Sequence, residues 1–305
     1  MRPMTRTCMA LAACACAAGA LGLGQQADPA VSPSNAPTST AAPSRAAETT
    51  DANRVLLDAM QGKSGTREEA IRTLTAAAIA PDPSPRLVLH CGLAHLWAAV
   101  EGPVGAQSTH EHAVLAEHWL TRAMALRPDD HRIGGWKSSA AMVIASIERD
   151  RAKAEAARTE LERLAVEDPC FHAITLAPAL FDMPRASEGF AKLRTAMEAS
   201  FECGMRGEIG DGARWPHAVA GFLVAISDVR LKAGDLAGAE TALVVAEARA
   251  STAAWPHRGL LDERIATLRE RAARYANDDP ADDPPFILGG GGAGCRICHA
   301  VEAQR

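Results

Sequence analysis

From residue 51 to about 276 the apolar residues recur with the spacing of an amphipathic helix, and turn signals separate the runs. Within that stretch one pattern returns four times. GDLAGAETALVVAEARA sets Gly234, Ala239, Leu243 and Ala246 in the order glycine, small, large, small. GTREEAIRTLTAAAIAPD repeats it with Gly65, Ala70, Leu74 and Ala77. AEHWLTRAMALRPDD has Ala116, Leu120, Ala123 and Pro128, and ARTELERLAVEDP has Ala157, Leu161, Leu164 and Pro169. Small residues at the first and third positions let two antiparallel helices approach, and the large one fills the groove between them. A proline after the second helix ends it and turns the chain toward the next pair. Aromatic residues are only 4% of the chain, against 48% hydrophobic overall. A sheet protein would draw more on β-branched and aromatic residues, so the expected class is all-α.

Over about 220 residues these registrations resemble the tetratricopeptide family. The resemblance implies an α-solenoid of degenerate helical hairpins over 51–276, with an extended C-terminal tail. The family's Trp, Leu-Gly and Tyr positions in the first helix are mostly absent here, which puts its usual peptide groove in doubt. A second repeat is sharper: Trp215-Pro216-His217 returns as Trp255-Pro256-His257. Proline is preorganised for the first turn of a helix, and one hairpin, about 218–231 and 236–250, fits between the two copies. A last charged helix is expected over about 256–275. Near a helix N-terminus an imidazole stays neutral and able to ligate a metal. The same histidines and tryptophans serve equally well as wedges between adjacent hairpins.

The first 24 residues read as an export signal. Arg2 and Arg6 precede an uncharged, mildly apolar run from Cys8 to Gly24 with small residues at its end. It is too short and too weakly apolar for a membrane-spanning helix. Leu11-Ala12-Ala13-Cys14 resembles a bacterial lipobox, which makes Cys14 a candidate lipid anchor. Residues 25–50 are rich in Pro, Ser, Thr and Ala without periodicity, and read as a disordered linker. The expected location is the periplasm or another exported compartment. No transmembrane span is expected in the mature chain. The net charge of −5, with no basic stripe, argues against nucleic acid as a partner.

The chemistry is expected at the other end. Residues 277–285, NDDPADDPP, read as an extended, solvated acidic linker. Phe286-Ile287-Leu288 and a glycine run follow, then Cys295-Arg296-Ile297-Cys298-His299. Cys-x-x-Cys-His is the attachment signature of c-type haem. Two thiols three residues apart reach the two vinyl groups of one porphyrin edge, and the adjoining histidine lies under the iron. With eight Cys and ten His in the chain, chance supplies such a motif about 0.007 times. The resemblance implies covalent haem c on Cys295 and Cys298, with His299 as proximal iron ligand.

Class I cytochromes c carry a distal methionine downstream of this motif, and nothing follows here to supply one. Candidate sixth ligands are His217, His257, Met183 and Met205. From Asp278 to Gly294 the tail has a contour of about 55 Å, enough to fold back onto the helices. Phe286, Ile287 and Leu288 are candidates to anchor it or to cover a haem edge. Of the other mature cysteines, Cys170 and Cys203 are a candidate disulfide that leaves Cys91 odd, or all three are buried thiols.

Three functions follow as expectations. The first is an exported monohaem protein whose helical array docks a protein redox partner while the haem relays electrons. The second is a haem-free binding scaffold whose terminal cysteines form a disulfide or a zinc clip. The third is a haem peroxidase or sensor with an open sixth position. No phosphate loop, nucleophile elbow or metalloprotease helix is present, so the chain reads as an electron-transfer or scaffold protein before an enzyme.

Overall fold

A computed structural model describes residues 54–56, 58–59, 65–101, 107–205, 216–250 and 258–287. The described residues contain helices and no strand. After helical pieces at 54–56 and 58–59 come α1 (Arg67–Ala78), α2 (Pro85–Glu101), α3 (Gln107–Leu126), α4 (His131–Glu148) and α5 (Arg151–Glu167). Then follow α6 (Pro169–Leu180), α7 (Glu188–Met205), α8 (Pro216–Lys232), α9 (Leu236–Ala250), α10 (Arg258–Ala266) and α11 (Leu268–Tyr275). From α1 to α10 each helix packs on its predecessor, and α2 with α4, α4 with α6 and α5 with α7 also touch. None of the described helices is long and apolar enough to cross a membrane.

The local sequence explains where helices start. Thr66 and Glu69 form a reciprocal capping box on α1, each side chain accepting the other's backbone N–H. Asp130, Asp150 and Asp168 accept N–H groups in the first turns of α4, α5 and α6. Pro169 then opens α6, where its missing N–H costs no bond. Gly65 and Gly234 adopt left-handed backbone at φ +73° and +87°, which a side chain would strain. At the other end of α1, Arg122 from α3 donates to the Ala78 carbonyl at 3.2 Å.

The four-fold register marks the core. Ala70, Leu74, Ala116, Leu120, Ala123, Ala157, Leu161, Leu164, Ala239, Leu243 and Ala246 are all buried. In the first copy the third position is shifted by one, because Ala77 is half-buried while Ala78 is fully enclosed. The last helix also differs from expectation. It divides at Thr267 into α10 and α11, and Leu261 and Tyr275 enter the core from the separate pieces.

One close approach rests on a glycine. A Cβ on Gly135 of α4 would lie 2.5 Å from His172 Nδ1 of α6. His172 is itself wholly buried. Gly135→Ala is therefore expected to destabilise the fold by about 1–3 kcal/mol through overpacking. A urea titration of the single variant and of the pair with His172→Ser checks this. The penalty should shrink once the ring is gone.

Candidate functional site

Cys295, Cys298 and His299 lie outside the described residues, as do Cys14, His257 and Leu288. What leads up to the motif is described, and it is built into the helices. Of the acidic segment 277–285, Asn277, Asp279, Ala281 and Asp282 are exposed, as a solvated linker would be, while Asp283 and Pro284 turn in against α8 and α11. One of its four carboxylates, Asp283, meets a cation far away in sequence, Lys232, which local composition does not reveal.

The seat begins at Asp228, an acid within the apolar run of α8. It is 1% exposed. Its Oδ1 lies 2.8 Å from Arg271 Nη2 and 3.2 Å from Arg264 Nε, and both arginines are buried. Its Oδ2 accepts the backbone N–H of Ile287 at 3.0 Å. Arg264 and Arg271 donate onward to the Pro285 carbonyl at 3.1 and 3.3 Å. The Tyr275 hydroxyl donates to the Pro284 carbonyl at 3.1 Å. Every backbone group of the segment that these contacts reach is thus answered by a side chain, as a non-helical buried segment requires.

Apolar and ionic contacts complete the seat. Phe286 stacks on Phe181 with ring centres 4.1 Å apart, and Phe286 and Ile287 are both buried. Lys232 closes α8 by donating to the Phe181 carbonyl at 2.6 Å and to Asp283 at 2.5 Å. Its ammonium also sits over the Phe181 and Phe190 rings. Farther back, the Asp278 carboxylate accepts the Arg185 N–H at 2.7 Å. Burial pushes the Asp283 carboxyl up and Lys232 opposes that. Desolvation raises the Tyr275 phenol far above its ordinary range.

This docking changes the reach of the motif. The tether no longer begins at Asp278 but after Ile287, and eight residue steps to Cys295 span about 29 Å at most.

Of the candidate sixth ligands, Met183 is the one whose side chain is described. It is half-buried in the loop after α6, packed on the core, with Sδ over Gly189. Met205 ends α7 and His217 is the second residue of α8; their side chains fall outside the described residues. None of the four is brought to the seat of the tail by a described contact.

The cysteines divide cleanly. Cys170 and Cys203 form a disulfide that ties the start of α6 to the end of α7. Cys91 is free and wholly buried, and desolvation pushes its thiol up to about 11. It is therefore inert as a nucleophile near neutral pH.

Sequence reasoning missed two histidine pairs. His95 Nδ1 lies 3.0 Å from His112 Nδ1, between α2 and α3, and His95 Nε2 is 3.2 Å from Thr75 Oγ1. His131 Nδ1 lies 3.1 Å from His172 Nε2, between α4 and α6, with Asp168 3.7 Å from the far side of His131. Burial first, and then the partner imidazole, lower His95 and His172 to about 4. His95 and His172 are neutral at pH 7, and each pair joins two helices by an imidazole hydrogen bond. Among the described residues no three His, Cys, Asp or Glu side chains converge as a metal site. Sequence offered no spacing signal for these pairs, because the partners sit on separate helices.

Comparison with protein-family models, with curated proteins and with solved structures finds no match.

Proposed function

We propose that the chain is an exported monohaem c-type protein, in which a tetratricopeptide-like solenoid docks a protein partner and the haem relays electrons. The observation that carries this reading is Cys295-x-x-Cys298-His299. The donor set fits the group: two thiols for thioether bonds and an imidazole adjoining them for iron. Haem c, once bound, supplies one-electron chemistry. The chain's own part is attachment through Cys295 and Cys298, axial ligation through His299, and tethering through the segment seated on Asp228.

Three findings support it. Cys170 and Cys203 pair with one another and Cys91 is enclosed, so none of these three is left to compete for the terminal thiols. A disulfide persists in an oxidising compartment, in keeping with the export signal over residues 1–24. The sequential packing of helices, with buried small-large-small registers, is what stacked hairpins produce. Such arrays serve mainly as platforms for proteins, which favours a redox partner over a small substrate.

The test is a haem-stained gel and a pyridine haemochrome spectrum of protein exported from a host with a working haem-maturation system. One covalent haem per chain is expected. Cys295→Ala/Cys298→Ala should abolish it without changing the helical circular dichroism. An iron-free wild-type chain would overturn the proposal and leave a binding scaffold with a terminal dithiol.

A further inference from the structure

The seat of the tail is more elaborate than a helix terminus needs. It reads one carboxylate, two consecutive proline carbonyls, an aromatic ring and one backbone N–H in an extended segment. This is how grooves recognise peptides: buried polar groups fix the backbone, and an aromatic contact fixes the register. The occupied segment has no helix or strand of its own.

The receptor side also holds together by itself. Asp228 Oδ1 keeps both arginines whether or not Ile287 is present, and only Oδ2 serves the segment. Arg271 has Tyr275 as a further neighbour at 3.2 Å. Lys232 retains the Phe181 carbonyl and two aromatic faces without Asp283. An emptied groove therefore leaves Asp228, Arg264 and Arg271 paired with one another, while Lys232 gives up Asp283 and keeps the Phe181 carbonyl.

We propose that this groove is a peptide receptor for the chain's own segment Asp283–Ile287, and that the segment is a detachable latch. Latched, the chain leaves the helices at Ile287, where α8, α10 and α11 meet, and Cys295 lies within about 29 Å of contour of that point. Released, the tether would begin at Asp282, and Cys295 would range over about 47 Å of contour. The latch thus selects between a shorter and a longer reach for the terminal motif. It does not depend on what that motif carries.

The probe is a labelled peptide of residues 279–290, DPADDPPFILGG, titrated by fluorescence anisotropy into the full chain bearing Phe286→Ala and Ile287→Ala. Saturable binding is expected, at least about 10-fold tighter than to the wild-type chain, whose own segment competes at high effective concentration. A peptide carrying Asp283→Asn and Phe286→Ala should bind at least about 10-fold more weakly. No saturable binding to a variant with wild-type circular dichroism would overturn the proposal. Should that variant not fold, hydrogen exchange of the wild-type chain decides. The Ile287 amide should exchange at least about 10-fold faster than the slowest amides of α8. Equal rates would make the segment an integral part of the core and refute a latch.

Discussion

Asp228→Ala is expected to cost the fold about 3–5 kcal/mol, because it leaves the buried Arg271 without a carboxylate and Arg264 with Glu263 alone. Arg264 and Arg271 have side-chain exposures of only 6% each, and Asp228 is the carboxylate between them. Removing it also frees the Ile287 N–H, so the tail loses the bond that fixes its end. A urea titration followed by circular dichroism gives the loss from the shift in midpoint at unchanged slope. The decisive comparison is Asp228→Leu/Arg264→Met/Arg271→Met. Replacing the whole ionic group by apolar side chains of similar volume should recover most of the stability lost by Asp228→Ala. If the triple variant is as unstable as the single one, uncompensated charge is not the cause and the arginines act through packing.

The contrast with the surface ion pairs is physical. Arg163 bridges Glu160 and Glu167 along α5, yet its side chain is half exposed and water screens the attraction. The Asp228 group has no such screening. It also joins α8 to α10, α11 and the tail, pieces that are distant from α8 in sequence. A charge cluster that links distant segments acts on the whole cooperative unit, whereas a pair within one helix supports a single turn.

What the sequence made legible follows the range of the interactions. Register is local: Ala116, Leu120 and Ala123 sit three and four residues apart on one face of α3, so periodicity alone exposes them. Caps are local too, since Asp150 reaches only as far as Lys153. Composition reads the exposed acids Asp279 and Asp282 correctly, but not that Asp283 meets Lys232 or that Ile287 meets Asp228, partners brought close only by the fold. One signal was present: Asp228 interrupts the apolar run GFLVAIS, and a carboxylate there must be paired if the helix is buried. The histidine pairs gave no such sign. His95 and His112 lie on different helices, and nothing in either local sequence names the other. The terminal motif is the opposite case, since its chemistry is written entirely in five consecutive residues.

Acidification is expected to unfold the chain through its buried histidines. His90, His95 and His172 are at most 3% exposed. Desolvation holds them well below the ordinary 6.5, at about 3, 4 and 4. Arg86 faces His90 and adds to the lowering; His112 does the same for His95. Around His172, His131, Arg132 and Arg163 lower the value while Asp168 raises it. Each depressed imidazole is neutral in the folded chain and takes up a proton once unfolded. Between pH 6.5 and 4 the unfolded state therefore binds up to three more protons, and stability falls as pH falls. Each contributes about 1.4 kcal/mol per pH unit, so the combined slope approaches about 4 kcal/mol per unit at mid-window. Asp283, pushed up by burial, works in the opposite sense. Urea midpoints measured from pH 7.5 to 4.5 should decline steeply below about pH 6.5, and His90→Leu should flatten the slope by roughly one third. A stability flat from pH 7 to 4.5 would mean that these histidines become solvated before they protonate. The two helix-joining pairs would then be surface contacts in solution, not buried ties.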